Sequence, residues 1–157
     1  MDQFRPFLTQ LQLAKCQCKA AEMTTLPLEK LSFLRGGFLI IERLCGAWLA
    51  QELFEHKHDL YYPQSITKLS AQIDDNVREN LPANVLQLQQ SDWFDDFLKV
   101  MSQLEDLNAS LVIDESGPAD IIAMSQSSLR PSLKTLKAFI SNFEHYFESI
   151  IKLSEEY

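Results

Sequence analysis

Residues 38–54, FLIIERLCGAWLAQELF, decide the fold. Only Glu42, Arg43, Gln51 and Glu52 are polar in this run. Apolar residues recur at Leu31, Leu34, Phe38, Ile41, Cys45 and Trp48, in alternating steps of three and four. A second stripe, Gly37, Ile40, Leu44 and Ala47, lies beside the first. A helix apolar over so much of its circumference needs several neighbours to cover it. The spacing therefore predicts the central helix of a bundle, opening near Pro27 and running to about His58.

A membrane span is the competing reading of the same residues. Spanning helices need about 20 predominantly apolar residues, and Glu42 with Arg43 interrupts this run near its middle. A charge there costs roughly 2.5–3.5 kcal/mol on insertion scales, so a soluble core is expected instead. A chain of 157 residues with 46% hydrophobic and 23% charged residues fits one globular domain over 1–157. With 4 glycines, 6 prolines and few β-branched runs, helices are expected rather than a sandwich or barrel.

The net charge of −8 is concentrated in residues 61–129, which hold eleven acidic groups against Lys68, Arg78 and Lys99. Such a surface repels phosphate, which argues against nucleic-acid and anionic-membrane partners. Three cysteines, an odd number, make no disulfide framework. Cys16 and Cys18, two apart on a helix, point to nearly opposite sides, and Cys45 belongs to the core face. The N-terminus lacks an uninterrupted apolar run with a cleavage site, and a reducing cytoplasm is the expected location.

In chain order, Phe4, Phe7, Leu11, Ala14, Cys18 and Ala21 predict a first helix that ends at Thr24 and Thr25. The connection to Pro27 is short, which makes the first two helices antiparallel. Ile66, Leu69, Ile73 and Val77 predict a shorter helix before Leu81 and Pro82, and the run from there to Gln90 has no clear period. Ser91 is the expected N-cap of a helix whose early carboxylates, Asp92, Asp95 and Asp96, suit the partial positive charge of a helix start. Residues 110–128, with a Ser-Gly-Pro break, predict either a long loop or a poorly ordered stretch. Pro131 then opens a last helix carrying Leu133, Leu136, Ile140, Phe143, Phe147 and Ile150 on one face. The expected fold is all-α: a four-helix up-and-down-type bundle with one extra short helix and a long loop before the last helix.

Chemistry is sparse. Glu52 and His56 are four apart, and Glu55 and His58 three apart, so each pair meets on one helix face. Glu-x-x-His is the spacing of di-iron carboxylate bundles, which repeat it on a second helix. Here Asn142 stands where a second copy, ending in His145, would need its glutamate. Glu42 and Glu144 are conceivable extra ligands, but the sequence does not aim them at the pair. Glu52, Glu55, His56 and His58 are thus the weak metal candidates, against a solvated helix end, and no metal or other cofactor is expected. No Gly-x-Ser-x-Gly elbow, phosphate-binding glycine loop or calcium loop is present. Gly36 and Gly37 are read as sites of close helix contact. Phe4, Phe7, Trp48, Trp93, Phe94, Phe97, Phe139, Phe143 and Phe147 are read as core, with an enclosed apolar ligand or an exposed docking stripe as alternatives.

Three features together resemble a group of small uncharacterised helical proteins of gammaproteobacteria: the apolar second helix LSFLRGGFLIIERLCGAWLAQEL, the tryptophan opening SDWFDDFL, and the aromatic last helix after an acidic linker. The resemblance covers most of the chain and implies no functional residue. The expectation is a non-enzymatic cytoplasmic protein acting through protein–protein contacts, with a protein partner or a second copy of itself. The alternative is a bundle that binds a small molecule or a metal.

Overall fold

The computed structural model describes residues 2–55, 66, 70, 81–105 and 130–155, with backbone only at 2, 54 and 55. The described residues are all-α, and no strand occurs among them. A 3-10 turn, Asp2–Phe4, leads into α1, Arg5–Met23, and α2 spans Pro27–Glu55. The short α3 is Ala83–Gln89, α4 is Asp92–Glu105 and α5 is Leu133–Glu155.

The helix ends follow from local chemistry. Pro6 sits in the first turn of α1, where no backbone N–H is needed. Thr24 leaves the helix in an extended conformation, and its N–H still donates to the Ala20 carbonyl at 3.1 Å. Its hydroxyl donates to Glu29 Oε2 at 2.6 Å, tying the turn to the first turn of α2. Ser91 connects α3 to α4: its hydroxyl donates to the Gln87 carbonyl at 2.9 Å, and its own carbonyl accepts the Phe94 N–H. The hydroxyl expected to cap α4 thus reaches back to the helix before it. At the other end, α5 begins two residues after Pro131. The Thr135 N–H donates to Ser132 Oγ at 3.1 Å, so Ser132 is the cap.

Paired residues fix the directions. Lys15 meets Glu144 and Lys137 meets Glu22, so α1 and α5 are antiparallel. Gln17 lies against Gly36 and Gly37, which closes α1 and α2 into a hairpin. Gly37 faces Leu136, and Trp48 packs on Phe147, so α2 and α5 run parallel. Trp93 on Phe143 and Phe97 on Phe139 set α4 antiparallel to α5.

Burial follows the helical periods. Leu34, Phe38, Ile41, Cys45 and Trp48 are buried on α2, as are Gly37 and Leu44 of the second stripe. Ile40 is half-buried and Ala47 exposed, so the cover around α2 is incomplete on one side. Of the helix expected before Leu81, Ile66 and Ser70 are described, both helical and buried. The rest of that segment, and the loop expected over 110–128, lie outside the described residues. The run to Gln90, which had no clear period, is helical from Ala83.

Two aromatic clusters fill the core. Trp48 is ringed by Phe4, Phe7, Tyr146 and Phe147 at centroid distances of 5.2–6.4 Å. Phe97 gathers Phe94, Phe139 and Phe143 at 5.1–5.9 Å. Most of these contacts are edge-on, the arrangement that ring quadrupoles favour.

The paired glycines differ in what a side chain would meet. A Cβ at Gly36 would come within 3.1 Å of the movable end of Gln17, whereas one at Gly37 would stand 2.5 Å from Cδ2 of the fully buried Leu136. Gly36→Ala is expected to raise stability by roughly 0.5–1 kcal/mol through helix propensity. Gly37→Ala is expected to lower it by about 1–2 kcal/mol, overpacking outweighing propensity. Thermal unfolding of the two variants checks the opposite signs.

Candidate functional site

Four polar groups, three buried and Asn84 half-buried, join α2, α3 and α5 near one end of the molecule. The Trp48 indole N–H donates to Tyr146 Oη at 3.0 Å. The Tyr146 hydroxyl in turn donates to the Asn84 backbone carbonyl at 2.6 Å. The Asn84 side-chain amide donates to Glu52 Oε1 at 3.3 Å. Glu52 is 7% exposed, so its carboxylate is held against α3 rather than in bulk water. Among the described residues no buried side-chain nitrogen or oxygen lacks a partner. Burial pushes the Tyr146 phenol well above its ordinary value; the bond from Trp48 opposes this and the nearby Glu52 charge adds to it. The phenol therefore stays a neutral donor.

This chain forms one wall of a pocket of about 370 Å³. Gln3 and Phe4 line it from the 3-10 turn before α1, and Gln51 and Glu52 from α2. Asn84, with Ile150, Leu153 and Ser154 of α5, also lines it among the described residues. The size falls within the roughly 300–1,000 Å³ of small-molecule pockets.

Of the four residues singled out in the sequence, Glu52 lines this pocket, while the Glu55 side chain, His56 and His58 lie outside the described residues. Among the described residues no group of three or more His, Cys, Asp or Glu side chains is placed to hold a metal ion. The two conceivable extra ligands lie elsewhere. Glu144 pairs with Lys15 at 2.7 Å on the α1–α5 seam. Glu42 is half-buried, and its carboxyl titrates above its ordinary value through burial first and the Glu105 charge second, against the opposing Arg43. In the sequence Tyr146 reads only as part of the apolar face of the last helix and Asn84 does not stand out, because they meet Trp48 and Glu52 across 32 to 98 residues of chain.

A second concavity, about 380 Å³, runs between α1 and α5. The Lys15–Glu144 and Lys137–Glu22 ion pairs border it, and Cys18 and Ile140 lie beneath. Cys16 is exposed, while Cys18 and Cys45 are buried and free. Burial raises the Cys18 thiol to about 11, although Lys137 pulls the other way. Such a thiol is a poor nucleophile at neutral pH.

Compared with known protein families, curated proteins and solved structures, the chain matches none. No described helix is long and apolar enough to cross a membrane, as the charges at Glu42 and Arg43 led one to expect.

Two measurements probe these groups. Tyr146→Phe removes the acceptor of the buried Trp48 N–H and the donor to the Asn84 carbonyl, so a loss of about 1–3 kcal/mol in urea unfolding is expected. Cys18 titrates at an ordinary 9.0 when unfolded and about 11 when folded. The folded state thus holds its proton longer, and this contribution is complete below pH 9 and lost as pH rises towards 11. Stability measured from pH 8 to pH 11 should fall less steeply for Cys18→Ala than for the parent.

Proposed function

We propose that this chain is a non-enzymatic, cytoplasmic docking protein that works by protein–protein contact. Its frame is a four-helix up-and-down bundle of α1, α2, α4 and α5, with α3 as the extra short helix. Support for that frame comes from the alternating directions of the four long helices and from the shared core of α2 and α5. The docking element is the α1–α2 hairpin.

One observation carries this reading. Leu28, Ser32, Arg35, Leu39 and Arg43 succeed one another at steps of three and four along α2, and every one is exposed. Among the described residues, five of the seven exposed large hydrophobics belong to this hairpin: Leu13, Met23, Leu26, Leu28 and Leu39. Met23 is 74% and Leu28 80% exposed. Residues 5–47 carry six basic and three acidic groups in a chain whose net charge is −8. A leucine stripe interleaved with arginines suits an amphipathic partner helix that presents leucines flanked by carboxylates. A second copy of this chain is the competing occupant. It is less well matched, because pairing two such hairpins face to face would bring their arginines together.

A synthetic helix with leucine at heptad spacing and glutamate between provides the test, next to the same peptide with lysine for glutamate. The acidic peptide should bind at least tenfold more tightly in fluorescence anisotropy and weaken at roughly 0.5 M salt. The double variant Leu28→Glu, Leu39→Glu should abolish binding without lowering the melting temperature, since both side chains are exposed. Equal binding of the two peptides, or binding that survives the double variant, would sink this reading. A dimer in native mass spectrometry that the same variant dissolves would hand the face to a second copy.

A further inference from the structure

We infer, building on the docking role proposed for α2, that this face selects its partner by register. It takes a helix on which two carboxylates, about two turns apart, flank one leucine. Arg35 and Arg43 receive the carboxylates, and Leu39 packs against the leucine.

Arg35, Leu39 and Arg43 follow one another at steps of four along α2, and all three are exposed. At roughly 1.5 Å per residue the two arginines start about 12 Å apart, with Leu39 midway. A second helix has the same rise, so carboxylates two turns apart meet both guanidinium groups at once. With carboxylates one turn apart, one guanidinium must swing roughly 6 Å along the helix to find its partner. The planar guanidinium fork holds a carboxylate through two parallel N–H donors, which fixes position as well as charge. The stripe supplies no third cation, since Ser32 and Leu28 stand beyond Arg35.

Both cations are open. Lys15 and Lys137 are held by Glu144 and Glu22 on the α1–α5 seam. Neither Arg35 nor Arg43 forms an ion pair among the described residues. Arg43 does act on Glu42, its neighbour in sequence, but that carboxyl is half-buried and answers first to burial and then to Glu105.

The apolar part of the stripe has a centre and a rim. Leu39 is 47% exposed, so its own protein already covers much of it, and the alkyl stems of two arginines flank it. A partner side chain seated there loses most of its water, which is the setting of a dominant contact. Leu28, at 80%, has little of its own protein around it and stands at the rim.

Two helical peptides of identical composition test the register. Each carries two glutamates and one leucine on an alanine–glutamine background. In one the glutamates stand eight residues apart with the leucine midway; in the other they stand four apart with the leucine one turn beyond. With helicity matched by circular dichroism, fluorescence anisotropy against the full chain should show the wide spacing binding at least tenfold more tightly. Arg35→Gln and Arg43→Gln should each abolish that preference, since one carboxylate then has no guanidinium to meet. Leu39→Ala should weaken the wide peptide at least tenfold and Leu28→Ala less than threefold, although Leu28 is the more exposed. Equal affinity for the two spacings, or a larger loss at Leu28 than at Leu39, would overturn the register. The acidic heptad peptide of the docking test, run alongside, separates the two ideas. If it binds while the two spacings bind equally or not at all, the register fails alone; if it fails as well, the docking face falls with it.

Discussion

The indole of Trp48 is the constraint to which the other parts of this molecule answer. It is the largest fully buried side chain, and it carries an N–H that cannot be left without an acceptor. Tyr146 supplies that acceptor, but a buried phenol then needs an acceptor of its own, and the Asn84 carbonyl is within reach at 2.6 Å. One polar atom in the core therefore sets the register of α2 against α5 and the placement of α3. Phe4 and Phe7 pack on the indole from α1, so the start of the chain is tied to the same point.

The opposite end is held by different means. Gly37 lets α2 approach Leu136 of α5 more closely than a side chain would permit. The ion pairs Lys15–Glu144 and Lys137–Glu22 bridge α1 and α5 on the surface. Exposed pairs of that kind contribute little, typically below about 1 kcal/mol. Their role is register, while burial of the aromatic clusters supplies the stabilisation. That contrast explains why Tyr146 and Gly37, rather than the lysines, are the informative positions.

How much of this was legible in the sequence depends on the range of the interaction. Helices α1, α2 and α5 follow from apolar periods within one segment; their leading stripes are largely buried, while on α2 Ala47 is exposed and Leu49 and Leu53, outside both stripes, are buried. Helix α3 is only seven residues long, too short to display a period, so Pro82 before Val85 and Leu88 was its sole signal. Local reading placed both helix starts closely but not their hydrogen bonds. Ser91 directly precedes α4 yet its hydroxyl turns back to Gln87, and the cap of α5 is Ser132, the residue after Pro131. Glu52 stood out for its spacing to His56. His56 lies outside the described residues, and the Asn84 amide that donates to Glu52 is 32 residues away, a pairing that no local pattern encodes.

The two faces of α2 divide its work between core and surface. A helix this apolar would ordinarily be covered all round, yet its exposed stripe alternates leucine with arginine instead of ending in a polar face. The arginines keep the uncovered leucines soluble and discriminate against cationic surfaces, which makes the stripe selective as well as adhesive. On the inward side of the same helix Trp48 and Leu53 are buried, so the stripe draws only on side chains that the core does not use. Engaging or losing a partner therefore requires no rearrangement of Trp48 and its acceptor Tyr146, and the stripe can be altered without unfolding the protein.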